Sequence, residues 1–244
     1  MVKGIVFGLF VYALALVATA PATLALPYIP PHVRAYGVDG SLWHGNAENV
    51  QINAFELGRT DWTLDPLPLI GAKLGANVEV KRSGLQGTGR LTAGRTDVEI
   101  NDADITADAV LINPYLRQFA GAIQGIFDVK LATLAFDQQK VNVADGNVMW
   151  REAQISAPFQ IPLGEVSATL TQKGNNVEAN ISNNGGQLGV KGKIILQPGW
   201  RYQIDVQLQP LEGLPEAIRS GLGLIGKPDA RGAVRLRQQG QLRV

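Results

Sequence analysis

The chain has 244 residues, with 22 Lys and Arg against 21 Asp and Glu, and no cysteine. So even a balance offers no broad electrostatic attraction for nucleic acid or anionic lipid, which rests on clustered positive charge, and the missing thiols exclude disulfides, thiolate metal sites and a cysteine nucleophile. The length suits one large domain or two small ones, and a β-rich chain of roughly 200 residues can remain a single domain.

In chain order the first predicted element is a membrane span. Lys3 is the only charge before Arg34, and residues 4–26 form an apolar run rich in Val, Leu, Phe and Ala. A helix over this run rises about 34 Å, enough to cross a hydrocarbon core of roughly 30 Å. A cleaved signal peptide carries a shorter apolar region of about 7–15 residues. The best small-residue cleavage pattern, Ala18-Thr19-Ala20, is followed by Pro21, so the segment is predicted to be retained. A basic residue before the span and none directly after it put the C-terminal bulk outside the cytoplasm. The layout expected is a cytoplasmic tip at 1–3, a transmembrane helix at 4–26, a proline-rich exit at 27–33 and a periplasmic β domain at 34–244. Tyr28, Pro27, Pro30 and Pro31 make that exit stiff and interfacial.

Beyond Pro31 the main signal is alternation. Residues 187–196 put Leu188, Val190, Ile194 and Leu196 on one face and Gln187, Lys191 and Lys193 on the other. Residues 202–209 repeat it, with Tyr202, Ile204, Val206 and Leu208 opposite Gln203, Asp205, Gln207 and Gln209. Both read as half-buried strands, as do 76–81, 131–136, 177–181 and 232–237. Gly and Asn clusters at 173–176 and 183–186 read as turns. Two stretches, 109–122 and 211–225, break the alternation and are predicted as short helices, the second with Pro215 in its first turn. The fold class expected is mainly β: an N-terminal transmembrane helix, then a long curled antiparallel meander with one or two short helices.

Several apparent chemical motifs fail on context. Gly221-Leu222-Gly223-Leu224-Ile225-Gly226-Lys227 matches a dinucleotide spacing and most of a phosphate loop. A phosphate loop needs Ser or Thr after the Lys, and here Pro228 stands there, while the preceding segment reads as helix rather than strand. Asp97, Glu99, Asp102, Asp104 and Asp108 lack the glycine and closing glutamate of a calcium loop. His32 and His44 are the only imidazoles and have no partner at zinc spacing. No Gly-x-Ser-x-Gly elbow surrounds any serine. The sequence therefore offers no catalytic residue, no metal site and no cofactor site, and the chain is predicted not to be an enzyme.

What remains is a set of tryptophans beside glycines. Gly40-Ser41-Leu42-Trp43-His44-Gly45, Trp62-Thr63-Leu64-Asp65-Pro66 and Gly146-Asn147-Val148-Met149-Trp150 each set a large ring in a short strand-like segment. Trp43, Trp62 and Trp150 are either core anchors of one curved sheet or the lining of an apolar groove.

These blocks, with the short tip and the apolar span ending in prolines, resemble the type II secretion system protein N family, also called general secretion pathway protein N. The likeness runs over nearly the whole chain, and its most specific element is the block that carries Gly40, Ser41, Leu42, Trp43 and Gly45. Trp62, Pro66, Gly146 and Trp150 belong to the other two blocks. The resemblance implies an accessory component in the inner membrane of a Gram-negative bacterium, serving the machine that moves folded proteins from the periplasm across the outer membrane. Its implied partners are other components of that machine, the inner-membrane platform or the secretin, with no catalytic residues to carry over. A more distant, architectural similarity is to AsmA-like envelope proteins, which implies the alternative of a lipid-binding or lipid-transfer groove. An envelope enzyme ranks third.

Overall fold

The computed structural model describes residues 12, 15–116, 121–157 and 159–241. Thirteen strands follow in chain order among the described residues, and they fall into two compact units divided between Gly94 and Arg95.

The first unit holds β1 (Val33–Gly40), β2 (His44–Ile52), β3 (Phe55–Asp65), β4 (Leu74–Arg82) and β5 (Leu85–Ala93), each antiparallel to the next. Two 3-10 helices, Ala22–Tyr28 and Leu67–Gly71, complete it. The expected span at 4–26 takes a different course where it is described; residues 4–11, 13 and 14 lie outside the described residues. Residues 15–18 are helical, the chain turns at Thr19, and Ala22–Tyr28 is a 3-10 helix in place of the last turns of a spanning α-helix. Pro21 is the physical reason, since it has no N–H to continue the ladder and disfavours helical backbone at the residue before it. Ala22 is buried, and the 3-10 helix lies against β1. Among the described residues no helix is long and apolar enough to cross a membrane.

The second unit holds β6 (Asp97–Asp108), β7 (Ala122–Asp137), β8 (Val141–Ala157), β9 (Ile161–Lys173), β10 (Asn176–Asn184), β11 (Leu188–Gln197), β12 (Arg201–Pro210) and β13 (Val234–Gln241), again an antiparallel meander. The alternation in the sequence becomes register here. Val190 sits opposite Leu208, Ile194 opposite Ile204 and Leu196 opposite Tyr202, so the apolar residues of β11 and β12 share one face while Lys191 and Lys193 are exposed. A one-residue slip would turn both apolar sets outward, which is why the pattern fixes the pairing.

The end of that apolar face at Leu188, Val190 and Leu208 packs with the helix Glu216–Ile225, which falls within the predicted helical stretch 211–225. Ile218 and Leu222, one turn apart on the helix, join Leu214, Leu163, Leu188 and the fully buried Val234 in a core cluster, the i, i+4 geometry by which a short helix buries one stripe. The other predicted helical stretch, 109–122, gives a 3-10 helix (Ala109–Ile112), one α-turn (Asn113–Leu116) and then the start of β7. The Asn113 amide closes this excursion. Its Nδ2 donates to Ile123 O at 3.0 Å and its Oδ1 accepts from the Ile123 N–H at 2.8 Å.

Candidate functional site

The turn between β1 and β2 is built from the block that begins at Gly40. Gly40 and Gly45 sit opposite each other where the two strands end. The Ser41 N–H donates to His44 O at 2.9 Å, and the His44 N–H donates back to Ser41 Oγ at 3.0 Å, so one hydroxyl closes the loop locally. This leaves the next two residues free to bind elsewhere. The Leu42 N–H donates to Ala20 O at 2.8 Å, the Trp43 indole Nε1–H donates to Val17 O at 2.8 Å, and Pro21 and Ser41 form an isolated antiparallel bridge. The last carbonyls of a helix have no acceptor role within it. The turn supplies donors to the end of the 15–18 helix and thereby holds the N-terminal segment on the first unit.

The second tryptophan is locked to the same turn. Trp62 Nε1–H donates to Leu42 O at 3.1 Å, and the Leu64 N–H donates to Trp43 O at 2.8 Å. Gly45 pairs with Trp62 across β2 and β3. A Cβ at Gly45 would lie 2.5 Å from Trp62 Cζ2, 2.8 Å from Ser41 O and 2.9 Å from Asp39 O, so only glycine lets the ring close over the turn. Two residues further along β3 Leu64 lies on the same face as Trp62. Pro66 then caps the 3-10 helix Leu67–Gly71. The Asp65 carboxylate accepts from the Leu67 N–H at 3.0 Å and from Arg90 Nη2.

These elements enclose a cavity of about 520 Å³ in the first unit, within the roughly 300–1,000 Å³ usual for small-molecule sites. Trp43 and Trp62 form part of its wall, Val33, Ala35 and Val50 its sheet side, and Ile29 its N-terminal side; Asp65 is the one charged residue in the lining. Leu26, Leu69 and Leu74 also line it and are exposed, so they form its mouth.

Seven of the nine predicted motif residues thus come together in the first unit: Gly40, Ser41, Leu42, Trp43, Gly45, Trp62 and Pro66. Gly146 and Trp150 do not join them. Both lie on β8 in the second unit, where Trp150 packs on the core cluster, stacks on Phe127 with ring centroids 5.3 Å apart, and donates from Nε1 to Gln124 O at 2.9 Å. The sequence reading missed the other two walls of the cavity, residues 22–29 and 67–75. The signal available was Leu67-Pro68-Leu69-Ile70, an apolar run straight after Pro66.

The rejected motifs take bland positions. Gly221 and Gly223 lie inside the helix Glu216–Ile225, with Gly226 as its cap, so the segment is the end of a helix and not a strand-to-helix phosphate loop. Lys227→Ala is accordingly expected to change nothing in a filter-binding assay of the purified protein with ATP, which should stay at background for both forms; ATP binding lost in the variant would overturn this. The five acids at 97–108 run along β6, and His32 and His44 are both exposed. Among the described residues no three His, Asp or Glu side chains are grouped to hold a metal. Four carboxylates titrate below the usual range, each through a structural contact. Asp128 is held there by Arg151, Asp205 by Arg235, Glu178 by Lys173, and Asp137 by the Gln139 N–H in a turn. Such contacts favour the ionised form and hold neighbouring strands or a turn together.

A family model described as Type II secretion system (T2SS), protein N, matches residues 31–237. The chain is similar to proteins called Type II secretion system protein N from three bacteria. That of Aeromonas hydrophila is 29% identical, with 93% of each chain covered. That of Vibrio cholerae serotype O1 is 26% identical over 99% of this chain and 100% of the relative, and that of Klebsiella pneumoniae 24% identical over 95% and 92%. No solved structure matches the chain.

Proposed function

Since the chain belongs to the type II secretion system protein N family, we propose that it is an accessory component of that system, anchored in the inner membrane and supporting export of folded proteins from the periplasm through protein–protein contacts without catalysis. The observation that carries this reading is the reach of the family match, residues 31–237, which takes in every described strand except the last residues of β13. The apolar run at its N-terminal side supports the anchor. Because the described helix ends at Ala18 and the chain turns at Thr19, the run available to the anchor is residues 4–18, shorter than the roughly 17–25 residues that usually span, and a short anchor is accommodated by local thinning of the bilayer. Residues 22–28 then sit at the junction of membrane and first unit. Partners are other components of the same system, met through the exposed edges and faces of the two meanders.

Topology gives the immediate test. A C-terminal alkaline phosphatase fusion should be active, and N-terminal sequencing of the mature protein should return Met1 or Val2. An inactive fusion, or an N-terminus beyond residue 20, would remove the anchor from this account.

A further inference from the structure

We infer that the cavity of the first unit is an acyl-chain site, filled from the bilayer by one hydrocarbon chain of a membrane phospholipid. The inference rests on the proposed membrane anchor and deepens it. Three observations carry it. First, the lining offers almost no hydrogen-bonding partner: Asp65 is its one charged residue, and that carboxylate is already engaged by Arg90 and the Leu67 N–H. An extended peptide would bring N–H and C=O groups that find no partner there, whereas a hydrocarbon chain requires none. Second, the N-terminal wall is the Ala22–Tyr28 helix and Ile29, which continue directly from the charge-free run at 4–20. If that run lies in the bilayer, this wall stands at its surface. Third, the rim is more apolar than a water-facing surface needs to be. Leu26, Leu69 and Leu74 at the mouth are exposed, and beside Leu69 on the same 3-10 helix Leu67 and Ile70 are 69% and 89% exposed. Contiguous apolar exposure of this kind marks an interaction surface, and a bilayer interface covers it without demanding complementary polar groups.

The geometry also assigns roles. The turn at 40–45 holds the end of the 15–18 helix through the Leu42 N–H and the Trp43 indole. It therefore fixes the mouth close to where the chain leaves the membrane. Trp62 and Leu64 on β3 line the cavity together with Leu69 at its mouth, so a hydrocarbon chain that fills it meets their side chains.

The test uses the full chain with photo-leucine in place of leucine, in vesicles of phosphatidylethanolamine and phosphatidylglycerol, irradiated and analysed by peptide mass spectrometry. Leu64 in the wall should carry a phospholipid adduct. In the cavity-filling variants Ala35→Phe and Val50→Phe that adduct should fall about tenfold, the factor of a ~1.4 kcal/mol loss of affinity. Each variant is read only where its melt matches the wild type, and either one alone suffices. Leu16, exposed in the helical segment 15–18, reports the anchor separately. A lipid adduct at Leu16 with none at Leu64 overturns the acyl-chain site and leaves the anchor standing. No lipid adduct at Leu16 overturns the anchor reading on which the site rests. A polypeptide adduct at Leu64, or a lipid adduct undiminished in the folded filler variants, also overturns the site.

Discussion

Gly45→Val should collapse the first unit's turn and lower its thermal midpoint further than any other single change at the site. The first added carbon alone would lie 2.5 Å from the Trp62 ring and within 2.9 Å of two backbone oxygens, Ser41 O and Asp39 O. The ring can turn aside, but the two carbonyls belong to the closed turn and the end of β1 and cannot yield separately. Overpacking typically costs about 1–3 kcal/mol and sometimes more. Valine's two further methyls, with the loss of the Trp62 Nε1–Leu42 O bond as the ring moves, put the expected cost at about 3 kcal/mol or above. In a chain of this size that lowers the melting temperature by roughly 6–12 °C, read by circular dichroism. A wild-type melt for Gly45→Val would show that the turn is not packed as described.

Trp43→Ala is expected to destabilise by about 2–3 kcal/mol, less than the 3–5 typical of a fully buried aromatic, because this ring is half-buried. The loss has two parts that a milder change separates. Trp43→Phe keeps most of the ring's packing and removes only the indole donor to Val17 O, a bond worth roughly 1 kcal/mol. Melts of the two variants should therefore rank Ala well below Phe and Phe slightly below wild type. Run beside a secretion assay corrected for protein level, they also decide the residue's role. Reduced stability with proportionate loss of secretion fits a ring that anchors the turn and lines the cavity. An unchanged melt with lost secretion would make Trp43 a contact residue for a partner.

The parts of this structure written in short-range patterns were legible in the sequence. The alternation at 187–196 and 202–209 became β11 and β12 with the expected faces, because a period of two needs only local information. The helix Glu216–Ile225 emerged from a stretch where that period failed. Contacts between distant residues were not legible. Trp43 finds its acceptor 26 residues upstream at Val17, and nothing in the spacing of a tryptophan states which carbonyl its indole will reach. The bend of the N-terminal run is written at Pro21, which as a sequence signal opposes cleavage after Ala20 and in the structure ends a helix. Trp43, Trp62 and Trp150 looked alike as tryptophans near glycines, yet the first two line a cavity and the third packs on the core of the other unit. Composition cannot make that distinction, because an apolar wall and an apolar core draw on the same residues.

The central claim is a role in secretion across the outer membrane, and it is tested most directly by where a folded substrate of the type II system accumulates in cells lacking this chain. The account predicts that the substrate falls in the medium and rises by a matching amount in the periplasm, and that the full-length chain restores the distribution. Undiminished substrate in the medium of the deletion strain, with the other components at normal levels, would contradict it.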